Sequence, residues 1–244
     1  MKYLTWIYIA FLFTIIGCSQ ANKKHLITVD ILYQGIPLNC NSLLANKWQL
    51  SQLYLYLSDI AVLNEQQKWQ PVMLAETPSQ HQNVALLGVN CADETNATWQ
   101  LELSDNLKGK QLKATVGVPF DLNHQNPMMQ QSPLNVPNMF WVWQTGHKFM
   151  RFEMQSNTEN WLFHLGSTGC SSASALRSPK QACVHPNRVS ISLGKIKQGV
   201  VQLDIAPWFN DIVFSEQSNC KSARDNIACQ LIFANIARRT PNSL

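Results

Sequence analysis

VPFDLNHQNP (residues 118–127), PLNVPNMFWVWQTGHKFMRFEMQ (133–155) and NWLFHLGSTGC (160–170) hold three of the six histidines, His124, His147 and His164, and the tryptophans Trp141, Trp143 and Trp161. Met139–Gln144 is aromatic-rich and alternates, Thr145 and Gly146 are turn residues, and His147–Met154 alternates again. Alternation of period two on both sides of a two-residue turn predicts an antiparallel hairpin. After the polar stretch Gln155–Glu159, Asn160–Leu165 supplies a third strand. With turns centred on residues 145–146 and on Asn157, Trp141 would face Met150 and Met150 would face His164, a row across one face of a meander.

The same alternation extends through the rest of the chain. Ile27, Val29, Ile31 and Tyr33 form a first strand that Gly35 ends, and Leu53, Leu55 and Leu57 alternate with Tyr54, Tyr56 and Ser58 before the run continues through Ile60–Leu63. Further strands are expected at Val84–Val89, Thr98–Leu103, Leu112–Val118, Val189–Leu193 and Val200–Ile205. About nine strands punctuated by turn signals predict an all-β protein, an antiparallel β-sandwich. A short C-terminal helix should close it, because Ser222 and Asp225 have the spacing of a capping box and Ile227, Leu231 and Ile232 share a helical face. No repeat or linker interrupts residues 27–244, which read as one domain.

Residues 1–18 read as a secretion signal: Lys2, then the apolar run YLTWIYIAFLFTII, then Gly17-Cys18. A small residue followed by cysteine suits the lipoprotein peptidase, so Cys18 is the expected lipid anchor and residues 19–26 a polar tether. Ser19 after Cys18, in place of an aspartate, points to outer-membrane sorting in a two-membrane cell. The protein is then expected in the cell envelope, held to a membrane through its lipid. Six cysteines remain, Cys40, Cys91, Cys170, Cys183, Cys220 and Cys229, an even number suited to an oxidising compartment. Their pairing is open from sequence; the expectation is sequential, with each cysteine bound to the next. No C-x-x-C pair is present for a thiolate metal site. Charged residues make up only 14% and the net charge is +4, with no basic stripe, which argues against a nucleic-acid partner.

His124 in a polar loop and His164 in a strand are candidate metal ligands. Imidazoles with few carboxylates suit copper or zinc better than magnesium or calcium. The ordinary alternatives are a surface or capping role for His124, a hydrogen-bonded core role for His164, and core packing for Trp141 and Trp143. Met128, Met129, Met139 and Met150 could supply thioethers to Cu(I).

The motifs GVPFDLNHQNP, MFWVWQTGHKF, FHLGSTGC and CVHPNRVSISL, in this order, resemble those of the MbnP-like family, also called the metallo-mystery-pair four-cysteine proteins. The resemblance runs from about Ile27 to Ile205. It implies a β-rich exported copper protein paired with a dihaem partner enzyme similar to MauG. In the family that partner oxidises a tryptophan to kynurenine, and copper binds at this residue and histidines. Carried over, the tryptophan is Trp141 or Trp143, with Trp141 preferred, and the histidines are His124 and His164. His147 departs from the family pattern, where an aromatic residue follows the glycine. Indole has no lone pair suited to a metal, whereas kynurenine offers an aryl amine and a ketone. The resulting expectation is copper binding, storage or delivery, not catalysis.

Two rival readings use the same residues. One is a metal-free β-sandwich lipoprotein that presents loops such as Asn123–Val136 to a protein or glycan. The other is a hydrolase acting through Ser167 in Gly166-Ser-Thr-Gly169, disfavoured because the nucleophile-elbow spacing is missing.

Overall fold

The computed structural model describes residues 25–45, 47–104, 107 and 111–238. The signal, Cys18 and most of the tether lie outside these residues. The strands are β1 (His25–Tyr33), β2 (Ile36–Pro37), β3 (Leu43–Leu44), β4 (Trp48–Leu63), β5 (Trp69–Pro71), β6 (Gln80–His81), β7 (Val84–Asn90), β8 (Asp93–Thr98), β9 (Gln100–Leu103), β10 (Gln111–Val116), β11 (Lys148–Gln155), β12 (Asn160–Gly166), β13 (Val189–Lys195) and β14 (Val200–Asp204). A one-turn helix α1 (Phe120–Asn123) and the C-terminal α2 (Ile227–Ala237) complete the regular structure.

Two sheets form a β-sandwich. The larger runs β12-β11-β4-β10-β13, with β3, β5 and β7 also pairing with β4 and with β6 and β8 pairing with β7. The smaller joins β14, β1, β2 and β9. All pairings between named strands are antiparallel except β1 with β14, which is parallel. The centre is β4, 16 residues long, because its Leu50, Leu53, Leu55 and Leu57 are buried against partners on both edges. Tyr56 points to the other face and is still fully buried; its hydroxyl donates to the Pro133 carbonyl at 2.7 Å and pins the 118–136 segment to the sheet.

The β11–β12 end is closed by rings. Phe152 and Trp161 lie 5.6 Å apart, Trp161 and Phe214 4.7 Å, and Phe163 and Phe209 5.4 Å, mostly edge to face. Each fully buried phenylalanine stabilises by about 2–3 kcal/mol. Disulfides join Cys40 to Cys91, Cys170 to Cys183 and Cys220 to Cys229. The last ties α2 to the edge of β12, where the Cys220 carbonyl accepts from His164 N–H at 2.8 Å.

Three expectations need correction. Met139–Gln144 is not a strand: Pro137–Met139 forms a 3-10 turn, Phe140 makes an isolated bridge with His147, and Thr145 and Gly146 N–H groups donate back to Val142 O at 3.0 and 2.7 Å. Pro133 and Pro137 lack the N–H groups a ladder needs, and the turn centres between Trp143 and Gln144. The row Trp141–Met150–His164 therefore does not form. β12 is also slipped by one residue, so that Arg151 pairs with His164 and Met150 with Leu165. A one-residue slip exchanges the faces, and Met150, like Met139, is in the core, leaving Met128 and Met129 exposed. Finally, α2 is capped by Asn226, whose side chain accepts from Cys229 N–H, not by Ser222. Its buried face is Cys229, Ile232, Asn235 and Ile236, while Ile227 is exposed.

Candidate functional site

The outer face of β11 and β12 carries a polar constellation in an otherwise apolar pair of strands. On β11, Arg151 and Glu153 are two residues apart and so project from the same face. Arg151 grips the Glu153 carboxylate with both arms of its guanidinium, Nε to Oε1 at 2.6 Å and Nη2 to Oε2 at 3.0 Å. His164, across from Arg151, places Nε2 2.6 Å from Glu153 Oε1. Burial opposes the charge on Glu153, but the bonds from His164 and Arg151 outweigh it and hold the carboxyl at about 2. Burial also holds His164 below the usual imidazole range, partly offset by the Glu153 bond. In the neutral ring the 2.6 Å contact makes Nε2–H the donor to the carboxylate and puts the lone pair on Nδ1. That atom is buried and has no hydrogen-bond partner. Leaving such a group unmatched costs about 1–3 kcal/mol.

Trp141 covers the same face. A Cβ built on Gly166 would lie 2.4 Å from Trp141 Cζ3 and 2.9 Å from Cη2, so the indole rests where any larger residue would stand. Gly166 is two residues from His164, and the missing side chain would project from the same face. Asn138, in the same covering segment, accepts from Lys148 Nζ through its carbonyl at 2.8 Å. Beside the half-buried indole opens an apolar hollow of about 370 Å³ lined by Pro127, Met128, Asn135, Pro137, Phe140 and Trp141.

His124 is buried at the end of α1. Its Nδ1–H donates to the Trp143 carbonyl at 3.2 Å, and its Nε2 accepts from Asn123 Nδ2 at 3.1 Å. Asn123 is oriented by the His147 N–H, which donates to its Oδ1 at 2.7 Å. Gly146 admits this arrangement: its φ is +78°, and a Cβ there would lie 2.5 Å from the Asn123 carbonyl oxygen. Burial lowers the His124 pKa, against the opposing bond to Trp143.

Among the described residues, the one close group of three potential metal ligands is His124, Cys170 and Cys183, whose ligand atoms lie within 4.8 Å of one another. The two sulfurs are already bonded to each other, so they offer no thiolate. His147 is fully buried, with Nε2 2.8 Å from Leu134 O and Nδ1 3.1 Å from Asn123 O, so both ring nitrogens face backbone carbonyls and neither is open to an ion. Burial pushes it down to about 4 despite both carbonyls. Ser167 donates to the Pro186 carbonyl at 3.0 Å.

The MbnP family model matches residues 23–222. The chain belongs to the MbnP family. MbnP from Methylosinus trichosporium has a similar structure, with a TM-score of 0.73 and 23% sequence identity over 86% of this chain and 87% of that one. At this identity the likeness shows a shared fold. No curated protein matches the chain.

In this MbnP-family chain, then, the structure gathers Trp141 and His164 on one sheet face. Trp143 is half-buried, and its carbonyl engages His124. His124 and His164 do not fall in a common group of close ligands: one directs Nε2 at Asn123 and, at 3.5 Å, Cys183 Sγ, and the other directs Nε2 at Glu153. Sequence reading passed over Glu153, Arg151, Asn123 and Gly166. The signal for the first two was present, two opposite charges on one face of an apolar strand; for Gly166 it was not, because the approaching ring is distant in sequence.

Proposed function

We propose that this MbnP-family protein binds copper in the cell envelope for storage or delivery. His164 would serve as one ligand, His124 as a second imidazole, and a kynurenine derived from Trp141 as a third. The observation that carries the reading is the buried, unpartnered Nδ1 of His164 on the sheet face that Trp141 covers. Nitrogen donors of this kind suit copper or zinc, and the family's association with copper favours copper. His124 keeps its Nδ1 proton on the Trp143 carbonyl, which leaves Nε2 as its donor atom once Asn123 moves aside.

Copper bound here would supply a coordination centre for the two imidazoles and the aryl amine. Oxidative opening of the indole C2–C3 bond, with loss of C2 as formate, would create that amine. A dihaem MauG-like partner using peroxide would provide the oxidising equivalents, and the apolar hollow beside Trp141 would give it access. Lipidation at Cys18 would hold the protein at the membrane.

The test is intact mass and bound copper of protein isolated from its native envelope. Conversion of one tryptophan to kynurenine adds about 4 Da. Trp141→Phe should abolish this gain and the copper, and Trp143→Phe should keep both. The reverse pattern would move the site to Trp143. Copper retained by both variants would show that neither tryptophan is the source of a ligand, and wild-type protein isolated with neither copper nor the mass gain would leave the metal-free envelope lipoprotein as the better account.

A further inference from the structure

We infer that Glu153 is a positioning residue for the metal site: by accepting the Nε2 proton it makes His164 present Nδ1, not Nε2, to the ion. The inference rests on the copper reading above. Three histidines are buried among the described residues, and two have both ring nitrogens occupied. His147 meets the Leu134 and Asn123 carbonyls, and His124 meets the Trp143 carbonyl and the Asn123 amide. His147 is thereby held as a structural histidine, and His124 would have to release the Asn123 amide before its Nε2 could reach an ion. His164 alone pairs one nitrogen with a carboxylate and leaves the other buried without a partner. A metal-binding histidine has this arrangement, its second N–H given to an acidic or carbonyl group that sets tautomer and ring orientation.

The lock is geometric. Arg151 engages both oxygens of Glu153, so the carboxylate cannot turn. Turning the imidazole over would replace Nε2 by Cε1 at Glu153 Oε1 and lose the 2.6 Å bond. Tautomer and ring face are therefore both set before any ion arrives. A structural ion pair between Arg151 and Glu153 would not require the third member.

The decisive measurement needs no metal. Long-range proton–nitrogen NMR of metal-free protein labelled at histidine should show His164 as a single Nε2–H tautomer, and Glu153→Gln should mix the tautomers. An Nδ1–H tautomer in the wild type would overturn the inference whatever the copper data show. Competition titration with Cu(I) then separates the two claims. His164→Ala should lose most of the affinity; if it binds as the wild type does, the copper site itself is misplaced. If His164→Ala fails to bind while Glu153→Gln and Glu153→Ala bind as tightly as the wild type, the site stands and Glu153 has no part in it. The expected loss is about 10-fold for Glu153→Gln, rising to about 100-fold for Glu153→Ala. Should Glu153→Ala not fold, the glutamine variant and the wild-type spectrum decide.

Discussion

A methyl group added at Gly166 would lie 2.4 Å from Trp141 Cζ3, 2.9 Å from Cη2 and 2.9 Å from the His147 carbonyl oxygen. Carbon atoms in contact sit about 3.5–4.0 Å apart, so the indole must retreat by more than about 1 Å. The carbonyl belongs to the backbone and can give little. Overpacking of this kind costs about 1–3 kcal/mol. Replacing glycine also restricts the unfolded chain, which returns about 0.4–1 kcal/mol. Gly166→Ala should therefore destabilise by up to roughly 2.6 kcal/mol, taking those two ranges together. For a domain of this size that lowers the melting temperature by up to about 10 °C. Urea unfolding of the wild type, Gly166→Ala, Trp141→Ala and the double variant is the assay. Once the ring is gone only the carbonyl clash remains, so the alanine at 166 should cost less in the Trp141→Ala background, with a coupling of about 1 kcal/mol. Additive effects, with near-UV circular dichroism unchanged in the single Gly166→Ala variant, would refute the packing of Trp141 on Gly166 and the site built on it.

The Cys170–Cys183 disulfide closes a separation of 13 residues. Replacing both cysteines by serine should cost about 3 kcal/mol, read as a lower urea midpoint, and a midpoint equal to the wild type would contradict the closure of this loop in the folded chain. Acid should act in two stages. His147 is held at about 4 against an ordinary 6.5, and Glu153 at about 2 against 4.5. Both pKa values are depressed, so on acidification the unfolded chain takes up each proton first. The stability each group contributes is complete above its unfolded value and is lost as pH falls through its folded value. Unfolding free energies from urea titrations against pH should fall between about 6.5 and 4, by no more than about 3.4 kcal/mol, and again between about 4.5 and 2 by clearly less, because Glu153 is partly solvated. A flat profile from pH 7 down to 4.5 would show that His147 is not buried as a neutral ring.

Period-two alternation alone placed most of the framework. β1, β7, β10, β12, β13 and β14 lie where Ile27–Tyr33, Val84–Val89, Leu112–Val118, Asn160–Leu165, Val189–Leu193 and Val200–Ile205 alternate or run apolar. This succeeds because a strand's inward and outward positions are set by its own residues. The same logic failed at Met139–Gln144, whose aromatic alternation imitates a strand; prolines on one side and a tight turn on the other leave its backbone paired over only two residues. It also failed by one residue at β11 and β12. The turn between two strands sets their register, and each strand offers acceptable pairings at several offsets.

The candidate site divides in the same way. His124, His164 and Trp141 could be singled out as chemistry-bearing residues from their types and from the family motifs around them. Which nitrogen of each ring is free could not be read that way. It depends on Glu153 reaching His164 across a strand pair, on the Trp143 carbonyl folding back over His124, and on Gly166 leaving room for an indole 25 residues earlier in the chain. Sequence determined the strands, the cysteines and the donor types because those follow from local pattern and side-chain chemistry. Only the tertiary structure decided the tautomers, the covering ring and the unpartnered nitrogen, because these arise from contacts between segments that no local preference brings together.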